Sequence, residues 1–135
     1  MKAQLLATLE NSRNYTLAVA DAMPENDYSY RPAGDVWNFG ELLNHIAYGI
    51  EWWNYNYIQK TATDWNPPAD KSTKKETIAY LDQAYAALKA ELEKATVSDS
   101  IIDGFYSTLN HITHHRGQAV LYLRGRQLTP PEYNY

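Results

Sequence analysis

"STKKETIAYLDQAYAALKAELEKAT", residues 72–96, is the stretch whose pattern decides the fold. Ile78, Leu81, Tyr85, Leu88 and Leu92 recur at steps of three and four, which is one apolar stripe on a 3.6-residue repeat. Thr73 stands at an N-cap position with Glu76 three residues later. The spacing predicts an amphipathic helix of about 22 residues, roughly 33 Å long at 1.5 Å per residue. Such a stripe has to be buried against other elements. The charged opposite face reads as solvated.

Three further helices are predicted on either side of it. The first covers about residues 3–22, with Leu5, Leu6, Leu9, Leu17, Val19 and Ala20 as apolar positions in a loose period. "MPENDYSYRPAGD", residues 23–35, ends it through Pro24, Pro32 and Gly34. Tyr28 and Tyr30 mark this stretch as an ordered loop. The second helix opens with Asn38 and Glu41 in capping-box spacing. Its stripe of Phe39, Leu43, Ile46, Ile50, Trp53 and Tyr57 carries it to about Ile58. Gly49 inside that stripe costs roughly 1 kcal/mol relative to alanine and suits the close approach of another helix. "TATDWNPPADKS", residues 61–72, reads as a linker. The fourth helix is expected over residues 107–124, or from a turn earlier. Gly125 stands at the expected left-handed cap, and Arg124 and Arg126 suit the negative helix end. Pro130 and Pro131 forbid helix in the tail "LTPPEYNY". Long helical patterns, without strand alternation or internal repeat, predict an all-α, antiparallel four-helix bundle in a single domain spanning residues 1–135.

Composition narrows the function. Sixteen acidic against twelve basic residues give a net charge of −4. That argues against a nucleic-acid-binding surface, which needs a basic excess on one face. The densest basic group, Lys71, Lys74 and Lys75, is followed at once by Glu76. The chain has no cysteine, so it offers no disulfide and no thiolate of its own. This fits a reducing cytoplasm. Gln4, Thr8, Glu10 and Arg13 break the N-terminal apolar run that a signal peptide would need. No apolar run approaches the roughly 20 residues of a membrane span.

"HITHHRGQ", residues 111–118, holds three of the four histidines. His111 and His115 lie four apart, on one face of a helix, with Cβ atoms about 5–6 Å apart. Two imidazoles at that spacing can share one cation at about 2.0–2.1 Å. His114 is displaced by about 100° and reads as a surface or supporting residue. A third ligand has to come from elsewhere, and His45, beside the stripe of the second helix, is the candidate. Three neutral imidazoles with an open position form the pattern of catalytic zinc, and nickel, iron or manganese are compatible. A histidine pair at this spacing also occurs on ordinary polar faces, and a histidine near a core stripe is commonly a hydrogen-bonded core group. No glutamate neighbours these histidines, so the zincin motifs are absent. Glu41, one turn before His45, is a candidate fourth ligand or base and equally a simple helix cap. Gln118 and Tyr122 return to the face of His111; Gln118 could orient a ligand or bind substrate. Arg116 could hold an anionic substrate, although a surface salt bridge is the preferred reading.

At these residues the chain resembles the DinB-like superfamily. The resemblance rests on "FGELLNHIAYGIEWW", on "HITHHRGQAVLYLRGRQLTPPEYNY" and on "YSYRP" before the second helix, together about half of the chain. It implies a four-helix bundle and a divalent metal, zinc or nickel, held by His45, His111 and His115, and it implies a homodimer. Relatives of this kind include thiol S-transferases that join bacillithiol or mycothiol to an electrophile, and a maleylpyruvate isomerase that uses mycothiol. Two functions follow as expectations. One is an enzyme that activates a low-molecular-weight thiol, or water in a hydrolase, against a small-molecule substrate. The alternative is a non-catalytic metal- or ligand-binding bundle acting as a dimer.

Overall fold

In the computed structural model, residues 1–133 are described, and among them there is no strand. Helix α1 (Lys2–Ala22) is followed by a 3-10 turn (Glu25–Asp27). Helix α2 (Phe39–Trp53) runs on into one π-helical turn (Asn54–Ile58). Helices α3 (Lys74–Lys94) and α4 (Asp99–Gly125) complete the bundle. Residues 134 and 135, the end of the predicted non-helical tail, lie outside the described residues.

Helix α3 forms as its pattern predicts. The Thr73 hydroxyl accepts from the Glu76 amide at 3.1 Å, and Leu81, Tyr85, Leu88 and Leu92 are buried. Each helix packs on two others, in the ring order α1–α3–α2–α4. Paired contacts give the directions. Glu10 meets Lys89 while Asp21 meets Lys74, so α1 and α3 are antiparallel. His45 meets His115 while Gly49 faces His111, so α2 and α4 are antiparallel too. Asn44 meets Lys71 and Glu51 meets Tyr80, so α2 and α3 run the same way.

Parallel neighbours need a crossover, and residues 59–73 supply it. Four α2-side residues spaced by four hold this segment: Asn44, Tyr48, Trp52 and Asn56. The Trp52 indole donates to the Thr63 carbonyl at 2.9 Å, and Asn56 Oδ1 accepts from the Thr63 amide. The Tyr48 hydroxyl accepts from the Asn66 amide at 2.7 Å, and Asn44 Oδ1 accepts from the Lys71 amide at 2.9 Å. The stretch predicted as a linker is therefore laid back along α2 and delivers the chain to the start of α3.

The all-α four-helix bundle forms as expected, but its neighbouring helices are not all antiparallel, because the crossover sets α2 and α3 in the same direction. Four further expectations need correction. Helix α4 starts at Asp99, two turns before residue 107, with Ser98 as its cap. Its buried line is Ile101, Phe105, Thr108, Ile112, Arg116, Ala119 and Leu123. The steps of four and three are regular, but Thr108 and Arg116 hide them from a hydrophobicity reading. Gly125 is not a left-handed cap. It is the last helical residue, and a Cβ there would lie 2.4 Å from the Tyr30 hydroxyl. Gln127 takes the positive φ of 60°, with its amide bonded to the Arg124 carbonyl and that of Leu128 to the Leu123 carbonyl, a Schellman closure. Tyr57 is exposed rather than buried. The π turn winds the stripe onward through Ile50, Asn54 and Ile58 instead. Finally, Arg116 is not a surface residue. It is buried and donates to the Ser12 carbonyl and to the Ser12 and Thr16 hydroxyls. Those hydroxyls also bond the Tyr85 hydroxyl. Ser12 and Thr16 occupy stripe positions of α1, which is why its apolar period is loose.

Candidate metal centre

His45 comes from α2, and His111 and His115 come from α4, one turn apart. As α2 advances from 45 to 49, α4 retreats from 115 to 111, so the antiparallel register lays the three imidazoles against one another. His45 Nε2 is 3.0 Å from His115 Nε2 and 3.0 Å from His111 Nε2. All three side chains are half-buried and offer ligand atoms within 4.8 Å of each other. No carboxylate among the described residues joins this group.

The fit to a cation can be tested on the geometry. Nitrogens 2.0–2.1 Å from a common ion lie roughly 2.8–3.0 Å apart in octahedral and roughly 3.3–3.4 Å apart in tetrahedral arrangement, and a site spans roughly 2.8–3.4 Å between these limits. The observed separations fall there. A neutral ring nitrogen has a single in-plane lone pair or hydrogen, so His45 Nε2 cannot hydrogen-bond well to both neighbours at once. The His115 Nδ1–H donates to Gln118 Oε1 at 2.8 Å, which leaves its Nε2 lone pair directed at the cluster. Burial lowers all three imidazoles, with the neighbouring histidines adding repulsion for His45 and His111. His45 is lowered to about 4 and His111 to about 3. His115 is lowered less, since Gln118 works in the opposite direction. At neutral pH the cluster is uncharged, the form in which imidazole binds metal.

Gly49 has the role its position suggested. A Cβ there would lie 2.3 Å from His111 Cε1, so only glycine lets this ring rest on the α2 backbone. The other face of His111 stacks on Trp53, with centroids 4.8 Å apart and planes at 30°. His111 Nδ1 is buried with no hydrogen-bond partner among the described residues. Trp37 lies 4.4 Å from the His45 ring and Trp65, from the crossover, lies 5.6 Å from it. Three indoles therefore enclose the histidines. The spacing of the histidines does not by itself single out these indoles. A tryptophan just before the α2 cap, another one turn beyond Gly49, and one inside a proline-rich linker were the available signals.

The remaining candidates are placed differently. The Glu41 carboxylate accepts from the Asn38 amide at 2.7 Å and lies 3.4 Å from the Arg31 guanidinium. It caps α2 while lining a small cavity with His45. The Tyr122 hydroxyl donates to the Trp37 carbonyl at 2.7 Å. His114 is exposed and stands edge-on to His115. Two cavities reach the cluster. One of about 180 Å³ includes His45, Tyr48, Asp70 and Tyr80; the other, of about 470 Å³, includes His115 and Gln118. Trp37 belongs to the walls of both.

A four-helix bundle with a three-histidine group between facing helices defines a class of helical proteins able to hold a metal ion. Residues 8–119 match the family model of the DinB superfamily, and the chain belongs to that family. YjoA of Bacillus subtilis strain 168, described as uncharacterized, is 28% identical over 136 residues, covering 90% of this chain and 88% of its own. Among solved structures, a DinB-like protein from Bacillus cereus ATCC 10987 superposes with a TM-score of 0.81 at 19% identity, over 97% of this chain and 95% of the other. The crystal structure of YjoA gives a TM-score of 0.75 at 19% identity, over 97% and 98%. At that identity the superpositions speak for the fold. No described helix is long and apolar enough to cross a membrane.

Proposed function

We propose that this protein is a metal-dependent enzyme of the thiol S-transferase type, with His45, His111 and His115 as the ligands. The observation that carries the reading is the convergence of three neutral imidazoles, with no fourth ligand among the described residues, at the meeting of two cavities. A structural zinc site is normally closed by four protein ligands, whereas a catalytic one keeps a position open. Zinc or nickel, or else iron or manganese, would supply a Lewis acid that lowers the pKa of a thiol cosubstrate, or of water in a hydrolase. The chain has no cysteine, so a reacting sulfur would belong to the cosubstrate.

The chain's own groups prepare this site. Gln118 fixes the tautomer of His115. Gly49 and Trp53 hold the His111 ring between a helix backbone and an indole. Trp37 and Trp65 limit water around His45. A small-molecule substrate, a homodimer and a cytoplasmic location belong to the same reading.

Metal per chain, measured by inductively coupled plasma mass spectrometry on protein without affinity histidines, tests it. About one first-row metal in the parent, absent from His45→Ala and His111→Ala, is expected. A screen of low-molecular-weight thiols against electrophiles then follows. No metal after reconstitution would sink the centre. Bound metal with no turnover, and a large loss of thermal stability on chelation, would favour a non-catalytic metal-binding bundle.

A further inference from the structure

The larger cavity lies between the loop that leads into α2 and the outer face of α4. We propose that it seats the apolar body of a small-molecule substrate whose reacting end lies at His115. The inference rests on the metal-centre reading above and specifies what that centre acts on.

Its volume of about 470 Å³ falls in the range of roughly 300–1,000 Å³ typical of ligand sites. Pro32, Val36, Trp37, Leu121 and Tyr122 form the walls, and His115 with Gln118 forms the inner end. No lysine or arginine lines it, and Asp35 is its one carboxylate, so an anionic body would meet repulsion and no counter-charge. Leu121 is 67% exposed and Trp37 is 45% exposed. These are two large apolar side chains beside a histidine cluster, arranged as a ligand would need them.

The wall is also held in place. The Tyr122 hydroxyl bonds the Trp37 carbonyl at 2.7 Å, and Arg31 donates to the Val36 carbonyl at 2.8 Å. Arg31 is in turn paired with Glu41, the N3 member of the α2 capping box. The loop is therefore tied to both helices that carry the histidines, so the cavity needs little ordering when occupied. The smaller cavity, at about 180 Å³ and lined by Glu41 and Asp70, has neither the size nor the character for the same group. Trp37 stands in the walls of both cavities.

The test uses metal-loaded protein and two probes, acetohydroxamate and octanohydroxamate, which share a chelating head and differ in tail length. Binding is read by calorimetry, independently of turnover. Each methylene buried in the cavity is expected to tighten binding about fourfold, until the tail outgrows the cavity. Leu121→Asp, at an exposed position, is expected to abolish the gain from the tail, read as the ratio of the two Kd values within the variant. Failure of acetohydroxamate to bind loaded protein would show that the metal offers no open position and would overturn this inference, while metal content remains the test of the centre itself. Binding of acetohydroxamate with no gain for the longer tail would overturn the cavity assignment alone. A gain that survives Leu121→Asp would place the tail elsewhere and overturn it as well. So would a parent dimer that Leu121→Asp converts to monomer, by light scattering, with no tail gain in either, because the face would then be covered by a second copy.

Discussion

Arg116 and His115 are neighbours in sequence and serve different faces of α4. Arg116 turns toward α1, where it meets Ser12 and Thr16, which also bond the Tyr85 hydroxyl of α3. His115 turns toward α2, where it meets His45. The first cluster mixes donors and acceptors, is buried, and bonds within the protein. The second brings together three nitrogens of like kind, half-buried, beside two cavities. Buried polar groups that satisfy each other specify a packing. Three converging ring nitrogens, more than one hydrogen can satisfy at once, suit a cation. The difference shows that a polar residue on an inward helix face becomes intelligible only with its partners.

The largest effect is expected where that contrast is broken on the structural side. Arg116→Ala should cost about 3–5 kcal/mol in urea unfolding, because it deletes a buried, hydrogen-bonded charge and leaves its partners facing a gap. His115→Ala should change the stability of the metal-free protein by less than about 1 kcal/mol. Equal costs would erase the distinction between the clusters.

Gly49→Ala sharpens the functional side. The new methyl would meet His111 at 2.3 Å, so the ring must move. A net loss of about 1–3 kcal/mol is expected from overpacking, despite the better helix propensity of alanine. Metal content should fall with it. A stabilised variant with full metal content would show that His111 is not held by the α2 backbone.

Gln118→Ala is expected to weaken metal binding by about 10–100-fold, as loss of an outer partner of a ligating histidine does. Its metal-free stability should stay within about 0.5 kcal/mol of the parent. Titration with a competing chelator measures the first and urea unfolding the second.

The pH dependence of the metal-free protein probes the same cluster as a whole. The histidines are lowered in the folded state, His45 to about 4 and His111 to about 3, against about 6.5 when unfolded. The unfolded chain therefore binds more protons below pH 6.5. Stability contributed by the neutral histidines is complete above that pH and is lost as pH falls from about 6.5 through about 4 for His45 and about 3 for His111. Bound metal should shift the decline to lower pH, and Arg116→Ala should leave its slope unchanged. A flat profile between pH 7 and 4.5 would contradict the burial assigned to the cluster.

Much of the fold was legible. The helices follow from apolar repeats and from the caps at Asn38 and Thr73, whose side chains bond as their spacing suggests. The spacing of His111 and His115, and the inward placement of His45, predicted residues that do converge. The illegible parts share one cause. Thr108, Arg116, Ser12 and Thr16 sit at buried stripe positions as polar residues, so a hydrophobicity pattern treats them as gaps. Their burial depends on partners from other helices.

By itself, then, the sequence determined where helices form, which faces are apolar, and that three histidines could share a cation. Local period and capping chemistry are enough for that. Tertiary structure decided that α2 and α3 run the same way, that the crossover carries Trp65 to His45, and that Gly125 makes room for Tyr30 while Gln127 takes the turn. It also decided that Glu41 braces a cavity wall through Arg31. These outcomes join residues far apart in the chain, and their physical origin is the register and separation of packed helices, which no local pattern encodes.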